Sequence, residues 1–289
     1  MLAVIVAICA SCCLNLLLQF TSAHYTYNVP LILLVVECMK GFVSLMGMIC
    51  ISRQRQCPVR LGFIVNSFLY AIVNYLSHFI TRSMPVSIYS VLIQHKLIWV
   101  VLFSILILEK TFTTRQYLAL IAVCSGCMLT KFSINEIVIT ELGLLLIVVQ
   151  GICSSLSSIW IEKMMKVAER PIVSENPREN QLYWFLADSF QMYLFAIPIY
   201  IAGVYTSQTP GVEKNTLPYE VFLIIVFLSV LNGMSLGAVF VYHSSIVRSI
   251  VSAVVIVLLS IAHGIFSVYT ISGIGLVLLG VIGWSRFAK

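Results

Sequence analysis

SIYSVLIQHKLIWVVLFSILILEK, residues 87–110, is longer and more apolar than the roughly 20 residues that an α-helix needs to cross the hydrocarbon of a bilayer, yet it carries a lysine near its middle. Lys96 stands about eleven residues into the run, hence roughly 15 Å deep at a rise of about 1.5 Å per residue. An ionisable group at that depth costs several kcal/mol, so it must face protein or water and must have a reason to be there.

The rest of the chain has the same character. Of its 289 residues 60% are hydrophobic and 10% charged, and the mean hydropathy is +1.03. No segment is polar enough for a separate soluble domain, so residues 1–289 read as a single polytopic, all-α membrane domain. Ten transmembrane helices are expected, at about 1–21, 29–51, 61–82, 86–108, 115–131, 141–161, 180–203, 219–241, 247–267 and 270–287. Thr21-Ser22-Ala23 resembles a signal-peptide cleavage site, but the first run lacks a basic start and its apolar stretch is long for one, so a retained helix is expected.

Charge orients the set. With both termini cytosolic, Arg53, Arg55, Arg60, Lys110, Arg115, Lys163, Lys166, Arg170, Arg178, Arg248, Arg286 and Lys289 fall on the cytosolic side. Only Arg82, Lys131 and Lys214 fall on the other side, which is the asymmetry that the positive-inside rule demands of an even helix count. This use of the basic residues leaves the net charge of +6 as no sign of nucleic-acid binding. Ten helices are compatible with two inverted five-helix repeats, about 1–131 and 141–289. Eight of the nine cysteines lie in apolar runs and Cys57 lies in a basic loop, so no disulfide framework is expected. Cys9-x-x-Cys12 and Cys124-x-x-Cys127 lack histidine partners and read as small apolar filler, and the histidines form no metal-ligand cluster.

The intramembrane polar residues carry the functional reading. Glu37 and Lys40 lie three apart on the second span and form a candidate structural ion pair. Lys96 has no acid within four residues of it; an anionic ligand suits it, and so does a distant acid such as Asp188. Tyr89, seven residues earlier, falls on the same helical stripe as Lys96 and offers a ring to stack and a hydroxyl to bond. Asn74 and Asn232 are buried amides, and Ser154, Ser155, Ser157 and Ser158 crowd the sixth span; both sets serve interhelical packing as readily as a ligand. No nucleophile and base stand together, so there is no sign of an enzyme. Lysine, tyrosine, amides and hydroxyls spread over several helices describe the lining of a cavity for a polar, anionic solute.

Several of these residues resemble the motifs of the nucleotide-sugar transporter family, within the drug/metabolite transporter superfamily. Glu37-Cys-Met-Lys40 is similar to the family's Glu-x-x-Lys. Leu69-Tyr70-Ala71-x-x-Asn74 is similar to its Leu-Tyr-Ala followed by asparagines. Tyr89-Ser-Val91-x-x-x-x-Lys96 resembles its Tyr-Gln-Val-x-x-x-x-Lys. Arg115-Gln116, Gly126, Ser154 to Ile159, Glu162-Lys163, Asn232-Gly233 and Tyr242-His-Ser244-Ser245-Ile246-Val-Arg248 come in the family's order. The departures are Ser90, Ile93, Val241 and Ser244-Ser245, and in the seventh span both Gln191-Met192-Tyr193 and Arg178 to Tyr183 fit the family's stretch. The overall pattern is most similar to the probable UDP-sugar transporter members.

The resemblance implies alternating access, with exchange of a nucleotide sugar, pyrimidine-based, for a nucleoside monophosphate. It implies a multi-pass protein of the Golgi membrane, with the ER membrane as second choice, and no cofactor. The substrate-binding residues it implies are Lys96, Tyr89, Lys40, Asn74 and Ser154, with the lysines at phosphate and Tyr89 at the nucleoside. A homodimer is left open. Two alternatives stand beside this reading: a drug or amine exporter, which needs an exposed intramembrane acid such as Glu37, and a non-transporting membrane adaptor of the same fold.

Overall fold

The computed structural model describes residues 2–25, 27–51, 59–83, 86–130, 141–166, 176–206, 217–262 and 267–287. Among them every regular element is a helix. They are α1 (Leu2–His24), α2 (Val29–Ile51), α3 (Gly62–Ser83), α4 (Val86–Leu92), α5 (Lys96–Leu108), α6 (Thr114–Leu129), α7 (Glu141–Met165), α8 (Pro177–Thr206), α9 (Tyr219–Tyr242), α10 (Ser245–Ala262) and α11 (Val268–Phe287). A 3-10 turn, Ile93–His95, joins α4 to α5, so the described chain forms ten rods. Seven helices are long and apolar enough to cross a membrane, and three shorter apolar stretches lie at Gly62–Ser77, Ile93–Leu108 and Thr114–Leu129. Many large apolar side chains face outward, among them Phe42, Phe68, Ile98, Ile121, Phe227 and Leu279. Lipid is the solvent that accepts such a surface.

The ends of the rods follow from local chemistry. α6 starts on a capping box: the Gln116 amide N–H donates to Thr113 Oγ1, and Thr113 N–H donates to Gln116 Oε1 at 2.8 Å. α5 stops at Glu109, the one described non-glycine residue with positive φ (53°), where the N–H groups of Glu109 and Lys110 both turn back to Ser104 O. α8 starts at Pro177, a position where the missing N–H costs nothing, and runs three residues beyond each expected end. α10 starts at Ser245, two residues before the expected edge, with Arg248 N–H donating to Ser244 O at 3.1 Å. Arg248 therefore lies in a helix rather than in a loop.

The chain divides into two compact units, each assembled from two separated stretches. One combines Met1–Ala71 with Trp160–His243, and the other combines Ile72–Ile159 with Ser244–Lys289. In the first, α2 packs on α8 and α9, and α1 on α9. Its main core gathers Met48, Tyr183, Trp184, Phe185 and Phe240, and Trp160 Nε1–H donates to Gly62 O at 3.0 Å. In the second, α6 packs on α11, and α10 packs on α5, α6 and α11. Its core gathers Leu97, Val100, Leu120, Ile159, Ile250 and Trp284. Burial from water holds little of this together in a bilayer; close contact does. α6 and α11 show how close: a Cβ on Gly126 would stand 2.7 Å from Gly273 O, and one on Gly273 would stand 2.6 Å from Gly126 O.

Candidate functional site

Lys40 sits in the first unit and is fully enclosed. Its ammonium bonds Glu37 Oε1 one turn away on α2, and both residues are buried. Two rings complete the enclosure, Tyr193 of α8 at 4.7 Å from the ammonium and Tyr70 of α3 at 5.6 Å. The stem lies on Gly233 of α9, where a Cβ would come within 2.9 Å of Lys40 Cδ. A carboxylate plus two π faces satisfies an ammonium that lipid would reject. Glu37 Oε2 is buried without a hydrogen-bond partner among the described residues.

Asp188, the distant acid weighed as a partner for Lys96, is buried in the first unit. Its Oδ1 faces Arg60 Nη1 at 3.6 Å. Arg60 Nη1 also donates to Met164 O at 3.1 Å, and its backbone N–H donates to Gln191 Oε1 at 2.8 Å.

In the second unit the fourth span is not one uniform helix. The N–H of Lys96 turns to Ile93 O instead of Leu92 O, which makes the 3-10 turn. His95 Nδ1 lies 2.8 Å from the Leu92 carbonyl. The carbonyl of Lys96 accepts a hydrogen bond of 2.9 Å from Ser155 Oγ on α7. The turn also changes register. Residues advance about 100° each in an α-helix and about 120° in a 3-10 helix, so three such residues rotate α5 by roughly 60° relative to α4. Tyr89 and Lys96 therefore leave the common stripe that a straight helix would give them, and they meet different neighbours.

Lys96 is half-buried, and among the described residues no acid or hydrogen-bond acceptor pairs with its ammonium. Arg248 on α10 is a second cation within electrostatic range of it. Cys127 of α6 lies within the same electrostatic range. The fields of both cations favour an anion near Lys96.

Tyr89 goes the other way. Its ring packs with Ile80, Ile88, Ile93 and Ile147. Its hydroxyl lies 2.7 Å from Ser77 Oγ and accepts from Gln150 Nε2 at 2.6 Å, and Gln150 Nε2 also reaches Ser77 Oγ. With the hydroxyl committed, the ring is what Tyr89 has left to offer a ligand. Asn74 is half-buried on α3, one turn before Ser77. Ser154 is half-buried and its carbonyl accepts from Ser158 Oγ at 2.8 Å; Ser155, next along, is the serine that touches the Lys96 peptide.

The second unit thus joins the Lys96 peptide to Ser155, with Arg248 and Cys127 within electrostatic range of the ammonium, and Tyr89 to Ser77 and Gln150. Sequence reasoning passed over Gln150, Ser77 and Ser155 as site residues and counted Arg248 as a flank charge. Gln150 had a signal of its own, a large amide inside an apolar run; the other three had none beyond their motif positions.

A family model described as nucleotide-sugar transporter matches residues 1–283. The chain belongs to that family, and it is a membrane transporter, not an enzyme. A curated relative, the probable UDP-sugar transporter protein SLC35A4 of Danio rerio, is 24% identical over 286 residues, covering 92% of this chain and 85% of its own. A protein of known crystal structure matches with a TM-score of 0.65 at 14% identity, covering 99% of this chain and 96% of its own, a likeness that carries the fold alone.

Proposed function

We propose that the chain exchanges a pyrimidine nucleotide sugar for a nucleoside monophosphate, in the Golgi membrane with the ER membrane as second choice, and that Lys96 and Arg248 hold the phosphates. The observation that carries this is the half-buried Lys96 ammonium, with no acid on it among the described residues and the Arg248 guanidinium within electrostatic range. Two unit charges 4 Å apart attract by about 4 kcal/mol at an effective dielectric of about 20. Contacts of that size from two cations offset much of what a phosphate loses on leaving water. The curated relative's name supports a uridine nucleotide as the passenger. Tyr89 presents its ring to the base, and Asn74 and Ser154 supply polar contacts.

Exchange arises from the same charges. An empty site whose Lys96 ammonium lacks a counter-ion reorients at a cost that a bound phosphate removes, whether the phosphate belongs to the nucleotide sugar or to the monophosphate. The helix pairings support inverted five-helix repeats, about 1–131 and 141–289. α2 with α8, α5 with α10 and α6 with α11 each join equivalent members of the two sets, as a pseudo-two-fold axis requires. Both termini are cytosolic in this reading, and nothing in it requires a second copy of the chain. An amine exporter is the weaker reading, because Lys40 already occupies Glu37.

The test is a thermal-shift panel of nucleoside monophosphates and nucleotide sugars on purified protein, with exchange in liposomes as the second measurement. A ligand at about 100 times its Kd adds about 2.7 kcal/mol of apparent stability. A uridine or cytidine nucleotide is expected to give the largest shift, and Lys96→Ala is expected to abolish both shift and exchange while the protein still folds. No shift with any nucleotide overturns the nucleotide-exchange reading; unchanged exchange in the variant removes Lys96 from the mechanism.

A further inference from the structure

We propose that His95 is a positioning residue for phosphate recognition: it holds the 3-10 turn that aims the Lys96 ammonium, and Gly151 is the opening in α7 that admits its ring. The inference rests on the phosphate-binding reading of Lys96 given above.

The 3-10 turn leaves one peptide group without its ordinary partner. In an unbroken helix Leu92 O would accept from Lys96 N–H, but that N–H goes to Ile93 O. In the 3-10 turn Leu92 O takes the His95 N–H instead, a bond of poorer geometry than the α-helical one, so an unassisted turn would revert to α-helix. His95 Nδ1, 2.8 Å from Leu92 O, gives that carbonyl a second donor and favours the turn. A carbonyl only accepts, so Nδ1 is the nitrogen that carries the proton there.

The other ring nitrogen shows how constrained the side chain is. Nε2 is buried and has no hydrogen-bond partner among the described residues. It lies against Gly151, where a Cβ would stand 2.3 Å from Nε2 and 2.6 Å from Cε1. No side chain larger than hydrogen fits without displacing the ring. One turn further along α7, Ser155 Oγ donates to Lys96 O at 2.9 Å. α7 therefore grips the turn at two points, the imidazole on one side and the Lys96 peptide on the other. Lost, the turn becomes α-helical and Lys96 rotates by roughly 60° out of its present position. Because the turn acts only through Lys96, its loss should remove the contribution of the phosphate and spare that of the nucleoside.

The experiment compares UMP with uridine, and CMP with cytidine, by direct binding to purified full-length protein, with thermal unfolding as the fold control. In the unmodified protein the better monophosphate is expected to bind at least about tenfold tighter than its nucleoside. In His95→Ala that ratio is expected to fall to within about threefold, with nucleoside affinity unchanged, and in His95→Asn, whose amide N–H reaches the Leu92 carbonyl, most of it is expected to return. Gly151→Ala is expected to lower the ratio when His95 is present and to have no further effect in the His95→Ala background. Should His95→Ala not fold, Gly151→Ala decides alone. An undiminished ratio in the folded variants overturns the role of His95. A ratio near one in the unmodified protein instead removes the phosphate site itself, and this inference with it.

Discussion

Two lysines in the membrane have opposite chemical situations, and their substitutions should separate accordingly. Lys40 neutralises Glu37 inside a closed box of Tyr70 and Tyr193. Lys40→Met leaves the carboxylate buried and alone, an expected loss of about 3–5 kcal/mol, seen as a lowered unfolding temperature in detergent. Adding Glu37→Gln should restore most of it; a double variant as unstable as the single one would mean that the two do not act as a pair. Lys96→Met removes a charge that no described protein group neutralises, so it should leave stability unchanged or raised while nucleotide binding is lost. The ion pair was legible in the sequence, because three residues on a helix set Glu37 and Lys40 together. The Lys96 neighbourhood was only half legible. Ile93-Gln94-His95 contains neither proline nor glycine, so nothing local announces a 3-10 turn, and placing Arg248 at Lys96 takes tertiary contacts that no spacing encodes.

At the scale of elements, α6 and α11 depend on the absence of side chains at their crossing. Gly273 has Gly126 O, Thr130 N and Thr130 Cγ2 within 3 Å of where its Cβ would be. Two of these atoms belong to backbone and cannot rotate aside, so Gly273→Val should force the helices apart. The expected outcome is a broad, aggregated profile in size-exclusion chromatography, whereas Gly275→Val, at a position with open space around its would-be Cβ, should elute as the parent does. The helices themselves were the most legible feature, since a bilayer demands one long apolar run per crossing. Their edges were less so, because local chemistry sets them. Pro177 starts α8 early, Ser244 starts α10 early, and α8 continues through Pro198.

At the scale of the molecule, exchange makes a kinetic demand that simple uniport does not. Liposomes preloaded with the partner monophosphate should take up labelled nucleotide sugar several-fold faster than empty ones, and equal rates would rule out a loaded-only return step. Another consequence comes from the way the two compact units interleave along the chain. Neither is contiguous: the polypeptide leaves the first after Ala71, returns at Trp160 and leaves again after His243. Lys40 emerges from the ribosome 153 residues before Tyr193, one wall of its box, and at roughly 5–20 residues per second that is a wait of about 8 to 30 s. Lys96 waits just as long for Arg248. During synthesis the early segments thus carry buried-to-be charges whose neighbours are still messenger RNA, and the surroundings of Lys40 and Lys96 are complete only after the C-terminal half has been made.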